Sequence, residues 1–246
     1  MSDRAFLAFF DRLFGAGRHR VVADGHFLHG SAELAGRPVA VIGTCQRAAI
    51  DGALALRLAG AILDTIADDQ AAGRPPRPIV FIADTQGQAL SRHEELLGLN
   101  GYFAHVARCV DLARRSGHAT LTLIRGEAVS GGFLAFGLLA DRIVALPDAQ
   151  VRVMDLRAMA RVTKIPFERL EALAQDSPVF APGAENYWRM GAIHESWQEG
   201  DDWPLQMAYA LPPARQTEAG DQRAALGLAR GGRTLAAPIA ALVAAA

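Results

Sequence analysis

The 246-residue sequence has few cysteines, few aromatic residues and no excess charge of either sign. Its two cysteines, Cys45 and Cys109, lie far apart, which argues against a disulfide scaffold and against a thiolate metal site. The 25 Lys and Arg residues nearly balance the 26 Asp and Glu residues. The chain therefore has no overall attraction to nucleic acid or to an anionic membrane surface.

Long hydrophobic runs are also missing. The apolar run over residues 5–10 is ended by Asp11 and is too short for the core of a signal peptide. The apolar tail over 236–246 is too short to cross a bilayer. The length and the 51% hydrophobic content predict a soluble, cytoplasmic α/β protein. We divide it into one domain over 1–212 and an Ala/Gly/Arg-rich C-terminal extension over 213–246.

Apolar runs and amphipathic segments alternate along the chain. Phe6, Phe10 and Leu13 recur at helical spacing and predict a helix over 3–14, packed either on its own domain or on a partner chain. Further helices are predicted over 51–70, 94–116 and 133–140, and strands over 39–44, 78–83, 119–124, 142–146 and 151–154. This order is typical of an α/β domain with parallel strand pairing.

The segment over 126–132, Gly-Glu-Ala-Val-Ser-Gly-Gly, follows a predicted strand and leads into a buried helix. The N-terminus of a helix has free backbone N–H groups, and glycine lets a ligand oxygen approach them. Two such donors form an oxyanion hole, worth roughly 3–4 kcal/mol per donor. Gly87, after the strand over 78–83, would lie at the same sheet edge. Alternatively, Gly131 and Gly132 only allow close helix–strand packing.

These residues resemble motifs of a known superfamily. The turn over 126–132 and the Ala-Asp-Arg-Ile-Val-Ala run over 140–145 resemble the second oxyanion-hole turn of the crotonase/carboxyltransferase superfamily. The Ile-Ala-Asp-Thr-Gln-Gly run over 82–87 resembles the first such turn of acetyl-CoA carboxyltransferase alpha halves, with Gln86 where a Pro is usual. The segment over 177–192 is similar to the gamma subunits of biotin-independent malonate decarboxylases. The resemblance implies an α/β crotonase-like (ClpP/crotonase) spiral of the carboxyltransferase type.

The resemblance also implies a function. Chains of this family work with a homologous beta subunit, and the active site lies at the interface of the two. The implied reaction decarboxylates a malonyl thioester on an acyl carrier protein to the acetyl thioester and CO2. The phosphoribosyl-dephospho-CoA arm belongs to the carrier, and the resemblance implies no bound metal, biotin or nucleotide. The implied backbone donors are Gly131, Gly132 and Gly87, and the implied substrate-binding residues are Ser130, Gln86, Glu127 and Arg152.

Other interpretations stay open at this stage. Ser130 occupies the position of the nucleophile in Clp-type proteases, but the stretch over 151–155 lacks the histidine that such chains carry there. His118 and His194 would need an unusual geometry to replace it. A non-catalytic scaffold that docks the carrier protein is a second alternative. Arg152 begins a basic run that either contacts phosphates of the carrier arm or forms a solvated face.

Overall fold

Buried, alternating apolar side chains build the centre of the sheet in the computed structural model, which describes residues 3–154, 156–176, 182–211 and 221–245. Neighbouring strands lie in the order β1 (Val22–Asp24), β2 (Phe27–Leu34), β3 (Arg37–Thr44), β5 (Ile79–Gln88), β6 (Thr120–Val129), β7 (Arg142–Ala145) and β9 (Glu195–Ser196). Two short strands lie off this path: β4 (Ala48–Ile50) pairs with β5 and β8 (Gln150–Arg152) pairs with β6. From β3 onward all pairings are parallel, which confirms the predicted parallel α/β sheet.

Helices cover both faces of this sheet. They are α1 (Asp3–Phe14), α2 (Gly52–Ala71), α3 (Arg92–Leu96), α4 (Leu99–Arg115), α5 (Ser130–Leu134), α6 (Leu156–Thr163), α7 (Phe167–Asp176), α8 (Ala184–Arg189), α9 (Trp203–Ala210), α10 (Arg223–Ala229) and α11 (Ala236–Ala244), with a 3-10 turn over Gly137–Leu139. In the part of the chain that the structure describes, no helix has the length and apolar character needed to cross a membrane.

The two faces of β5 define two apolar layers. Ile79 and Phe81 point to the layer that holds α2 and α4, whereas Val80 and Ile82 point to the layer that holds α1 and α9. Each of these side chains is at most 1% exposed, so the strand is buried on both sides, as expected for a central parallel strand. The helix predicted over 3–14 is confirmed, and its phenylalanines pack on its own domain.

The central strands β5 and β6 are each ten residues long and change neighbours midway. Their first halves pair with each other from Ile79↔Thr120 to Ala83↔Ile124. An irregularity follows, and pairing resumes at Thr85↔Ala128. From there β4 joins the edge of β5 and β8 joins the edge of β6. Residues 84–88, which follow the strand predicted over 78–83, thus continue that strand into a second, smaller part of the sheet.

The structure differs from the sequence predictions in three places. The sequence does not predict the hairpin of β1 and β2, because His29, Gly30 and Ser31 interrupt the apolar alternation of β2. The helix predicted over 94–116 is divided into α3 and α4. Gly98 lies between them as the N-cap of α4, with a left-handed φ of 75°. The helix predicted over 133–140 is wrong in its bounds: α5 begins at Ser130 and ends at Leu134, before the 3-10 turn.

Arg230, in the C-terminal segment over 221–245, packs on α8 and on the residues that follow it. The Arg230 guanidinium donates to the carbonyl oxygens of Trp188, Ile193 and His194 at 2.7, 2.8 and 3.0 Å, and it stacks on the Trp188 ring. The division that we predict at residue 212 falls in 212–220, outside the described residues. The separate extension therefore stays a prediction.

Candidate active site

The two glycine turns touch each other at the end of the sheet. A Cβ built on Gly132 would lie 2.8 Å from the carbonyl carbon and 2.9 Å from the Cα of Gly87. Real Cβ atoms do not approach backbone so closely, so only glycine fits at position 132 in this backbone. The structure therefore brings together Gly87 and Gly132, which are far apart in the chain.

The second turn leads into the polar N-terminus of α5, where Gly131 is half-buried and Gly132 is buried. Val129 caps this helix without a side-chain hydrogen bond, and Gly131 and Gly132 lie in its first turn. N–H groups at these positions have no partner within the helix. They carry the partial positive charge of the helix N-terminus, which favours a negative charge nearby.

Ser130, the first residue of α5, has a φ of 50°, in the left-handed region that a serine rarely adopts. Such backbone conformations persist only where the surrounding structure enforces them, and they cluster at functional sites. Here the conformation makes the sharp change of direction from β6 into α5. This change of direction also places Gly132 against Gly87 of the first glycine turn.

The backbone N–H of Gly87 is not free to bind a substrate oxygen, contrary to the sequence prediction, because it already has a hydrogen-bond partner. Its φ of 104° requires glycine, but its N–H donates to Thr85 Oγ1 at 3.0 Å. The Thr85 hydroxyl, fully buried, in turn donates to the carbonyl oxygen of Ala48 at 2.7 Å. Gln86, between them, is exposed. The Gly87 N–H is thus occupied by Thr85, and Gly131 and Gly132 offer the better donors.

Asp84 fixes the position of the second turn relative to the first. Its N–H donates to Thr44 Oγ1 at 3.2 Å, and its Oδ1 accepts the N–H of Glu127 at 3.3 Å. A Cβ on Gly126, whose φ is 67°, would lie 2.8 Å from that same Oδ1. The ends of β3, β5 and β6 are therefore connected through one residue, whose backbone N–H binds Thr44 and whose carboxylate binds the Glu127 N–H.

Glu127 lies between two arginines. Its Oε1 pairs with Arg47 Nη2 at 2.5 Å and its Oε2 accepts from Arg152 Nη2 at 2.9 Å. The Glu127 side chain is 13% exposed, whereas that of Arg47 is 65% exposed. Of the predicted substrate-binding residues, Glu127 and Arg152 therefore lie together, and Glu127 directs its carboxylate at arginines of its own chain.

Within the described ranges, no histidine is hydrogen-bonded to Ser130, and the two candidates, His118 and His194, contact backbone groups. His118 Nδ1 lies 2.8 Å from the carbonyl oxygen of Arg77, and His194 Nδ1 accepts the N–H of Ile143 at 3.1 Å. Burial, and then the nearby Arg142, lower the pKa of His194 to about 4. These contacts disfavour a Clp-type hydrolase.

Sequence reasoning missed three residues of this edge: Arg47, Asp84 and Thr85. Asp84 and Thr85 follow the predicted strand over 78–83 directly, and Arg47 follows the strand over 39–44. The carboxyl ends of parallel strands meet at one edge, so their positions alone could have identified them. No metal ligand set is found either: the described part of the chain has no group of three or more His, Cys, Asp or Glu side chains placed to hold an ion.

The fold and the paired glycine turns define a carboxyltransferase-type protein of the crotonase-like class. A structure of transcarboxylase 12S, with 16% identity and a TM-score of 0.65 over 87% of this chain and 42% of that chain, shares the fold. A Pseudomonas malonate decarboxylase hetero-tetramer in complex with coenzyme A contains a chain with a TM-score of 0.78 and 27% identity. That match covers 96% of this chain and 97% of the other.

Sequence comparison identifies the family within this class. The malonate decarboxylase gamma subunit family matches residues 45–246. A relative from Malonomonas rubra, the malonyl-S-ACP:biotin-protein carboxyltransferase MADD, is 33% identical over 199 residues, which are 76% of this chain and 68% of the relative. The chain belongs to the malonate decarboxylase gamma subunit family, which confirms the resemblance. Of the segment that carried it, residues 177–181 lie outside the described residues, and Ala184–Arg189 forms α8.

Proposed function

We propose that this chain, paired with a homologous beta subunit, decarboxylates a malonyl thioester carried on an acyl carrier protein. The family membership supports the reaction, and the name of the Malonomonas relative includes a malonyl-S-ACP substrate. A related Pseudomonas structure, with 29% identity and a TM-score of 0.69, is an MdcD-MdcE hetero-dimer. The thioester would be carried on the carrier's phosphoribosyl-dephospho-CoA arm, with no cofactor bound by this subunit.

The reaction breaks the bond between the α-carbon and the carboxylate carbon of the malonyl group. CO2 leaves, and the electron pair of that bond forms an enolate whose negative charge lies largely on the thioester oxygen. One proton then adds to the α-carbon and gives the acetyl thioester. Charge appears on an oxygen and no nucleophile is consumed, so donors fixed in the protein supply the main stabilisation.

The uncapped N-terminus of α5 is the single observation that carries this proposal. Gly131 and Gly132 would donate to a substrate oxygen there, and the Gly87 N–H would join them if substrate displaced the Thr85 hydroxyl. Ser130 and Gln86 lie in the two adjacent glycine turns and would contact the substrate. Arg152, held by Glu127, would face its anionic groups.

A pair of substitutions at Gly131 tests the backbone donor. The beta–gamma complex is assayed for CO2 release from a malonyl thioester on the carrier protein. Gly131→Pro removes the N–H at this position. Gly131→Ala adds a Cβ 3.2 Å from the movable Gln88 Oε1 and keeps the N–H. We expect the alanine variant to retain most activity and the proline variant to lose about 100- to 1000-fold in kcat.

Assembly of each variant complex is measured beside its rate by size-exclusion chromatography with light scattering. A proline complex that assembles and turns over normally would show that Gly131 donates no catalytic hydrogen bond. The chain would then be a scaffold for the beta subunit. Equal losses in the alanine and proline variants would indicate a steric requirement at position 131 instead.

A further inference from the structure

Arg47 is an exposed arginine in an unusual conformation at the edge of the proposed site. It directly precedes β4, whose residues Ala48 and Ala49 pair with Thr85 and Gly87 of the first glycine turn. Arg47 and the preceding Gln46 have φ values of 54° and 60°, so two successive residues other than glycine are left-handed. Chains rarely accept this strain unless it positions a group for function.

Glu127 explains how this arginine is held. It lies in the second glycine turn and reaches past β5 to pair with Arg47, which is on the far side of that strand. On its other side Glu127 binds Arg152 of the adjacent β8. One carboxylate thus connects the start of β4, the second half of β6 and the end of β8. The Glu127 side chain is 13% exposed and that of Arg47 is 65% exposed, so the carboxylate is the more buried partner and the arginine is the one that solvent reaches.

The charges of this cluster do not cancel. Two guanidinium groups surround one carboxylate, so the cluster carries one net positive charge. A guanidinium has five N–H donors in a planar fork. Pairing with Glu127 through Nη2 leaves further donors of Arg47 directed to solvent. Such a fork binds carboxylate and phosphate oxygens with two parallel hydrogen bonds.

We propose that Arg47 binds an anionic group of the thioester substrate and that Glu127 is the positioning residue that holds its guanidinium in place. This inference rests on the proposed function for the nature of the substrate. The group bound is an oxyanion, either the malonyl carboxylate or a phosphate of the carrier arm. Both present the same chemistry to Arg47, and they can be separated by experiment.

The test compares four variants of the beta–gamma complex: Arg47→Met, Arg47→Lys, Glu127→Gln and Arg115→Met. Arg115 is the matched control, since it is an exposed arginine paired with Asp111 at the far end of α4. Binding of malonate and of coenzyme A is measured separately by titration calorimetry. KM and kcat are measured with the malonyl carrier protein and with malonyl-N-acetylcysteamine, which has no phosphate.

We expect Arg47→Met to weaken the binding of one probe by about 10- to 100-fold, as for loss of hydrogen bonds to a charged group. Arg47→Lys should recover part of that loss, because it restores the charge without the fork. Glu127→Gln should weaken binding of the same probe while Arg47 is still present. Arg115→Met should leave both probes unchanged.

The two substrates distinguish the two sources of the anion. An effect on malonate and on both substrates assigns the carboxylate, whereas an effect on coenzyme A and on the carrier substrate alone assigns a phosphate. Unchanged dissociation constants for both probes in Arg47→Met would overturn the proposal, even if the melting temperature fell. A wild-type complex that binds a probe through Arg47 but releases no CO2 would contradict the proposed function and leave this anion site standing.

Discussion

His194 and Ile143 exchange two hydrogen bonds. The His194 N–H donates to the carbonyl oxygen of Ile143 at 2.8 Å, and the Ile143 N–H donates to His194 Nδ1 at 3.1 Å. The ring nitrogen thus replaces a backbone carbonyl next to β7. Only a ring with Nδ1 unprotonated can accept the second bond, so the contact requires neutral histidine.

This contact predicts a stability that depends on pH. Burial and the neighbouring Arg142 lower the pKa of His194 to about 4 in the folded chain, from 6.5. The unfolded chain therefore binds more protons between these values. The stabilisation is complete above about pH 6.5, is lost as the pH falls towards 4, and amounts to at most about 3 kcal/mol.

Urea unfolding of the chain between pH 4 and 7 measures this effect. His194→Asn keeps an acceptor for the Ile143 N–H without a titrating group, so its free energy of unfolding should lose most of the pH slope in this window. His93→Asn, at an exposed position of α3, is the control and should keep the wild-type slope. A His194→Asn variant with an unchanged slope would show that other groups cause the pH dependence.

The contact between the two glycine turns predicts that alanine has opposite effects on stability at Gly132 and at Gly60. Gly132→Ala should destabilise the chain by about 1–3 kcal/mol, as overpacking does, and abolish activity, because its Cβ would lie 2.8 Å from Gly87. Gly60→Ala, within α2, meets nothing within 4 Å and should stabilise by about 0.5–1 kcal/mol. Thermal unfolding of both variants checks the signs. A Gly132→Ala chain as stable and active as wild type would disprove the close approach.

We expect the Thr85 hydroxyl to stabilise the first glycine turn, which contains Gly87. Thr85→Val has nearly the same shape but removes the acceptor of the Gly87 N–H and the donor to Ala48. Because these groups are buried, we expect a loss of about 1–3 kcal/mol in the free energy of unfolding. Thr85→Ser keeps the hydroxyl and should recover most of it. Denaturant titration compares the two, and equal stabilities would show that this hydroxyl contributes nothing.

The strands and helices with strong apolar patterns could be predicted from the sequence. The buried run over 79–83 and the helix over 52–71 show their character in local composition alone. The hairpin of β2 could not be predicted in this way. Its Gly30 is needed because a Cβ there would lie 2.3 Å from the carbonyl oxygen of Arg20, a tertiary contact that leaves no periodic pattern.

The site was predictable in part for a similar reason. Gly131 and Gly132 were found because a strand-to-helix turn with small residues is a local pattern. The pairing of Arg47 with Glu127 joins residues 80 positions apart and depends on the order of the strands. The hydrogen bond from the Gly87 N–H to Thr85 is local, but its formation depends on how the backbone bends after the irregularity in β5.

The division of β5 and β6 into two halves has a consequence for how this chain tolerates change. Each strand is one continuous backbone that is anchored in the apolar layers before the irregularity and holds the glycine turns after it. A substitution at Phe81 or Leu123 that shifts the strand along its axis would carry the turn with it. Substitutions in the buried first halves of β5 and β6 therefore affect both the packing of the core and the geometry of the glycine turns. Substitutions on the surface helices do not act on the turns in this way.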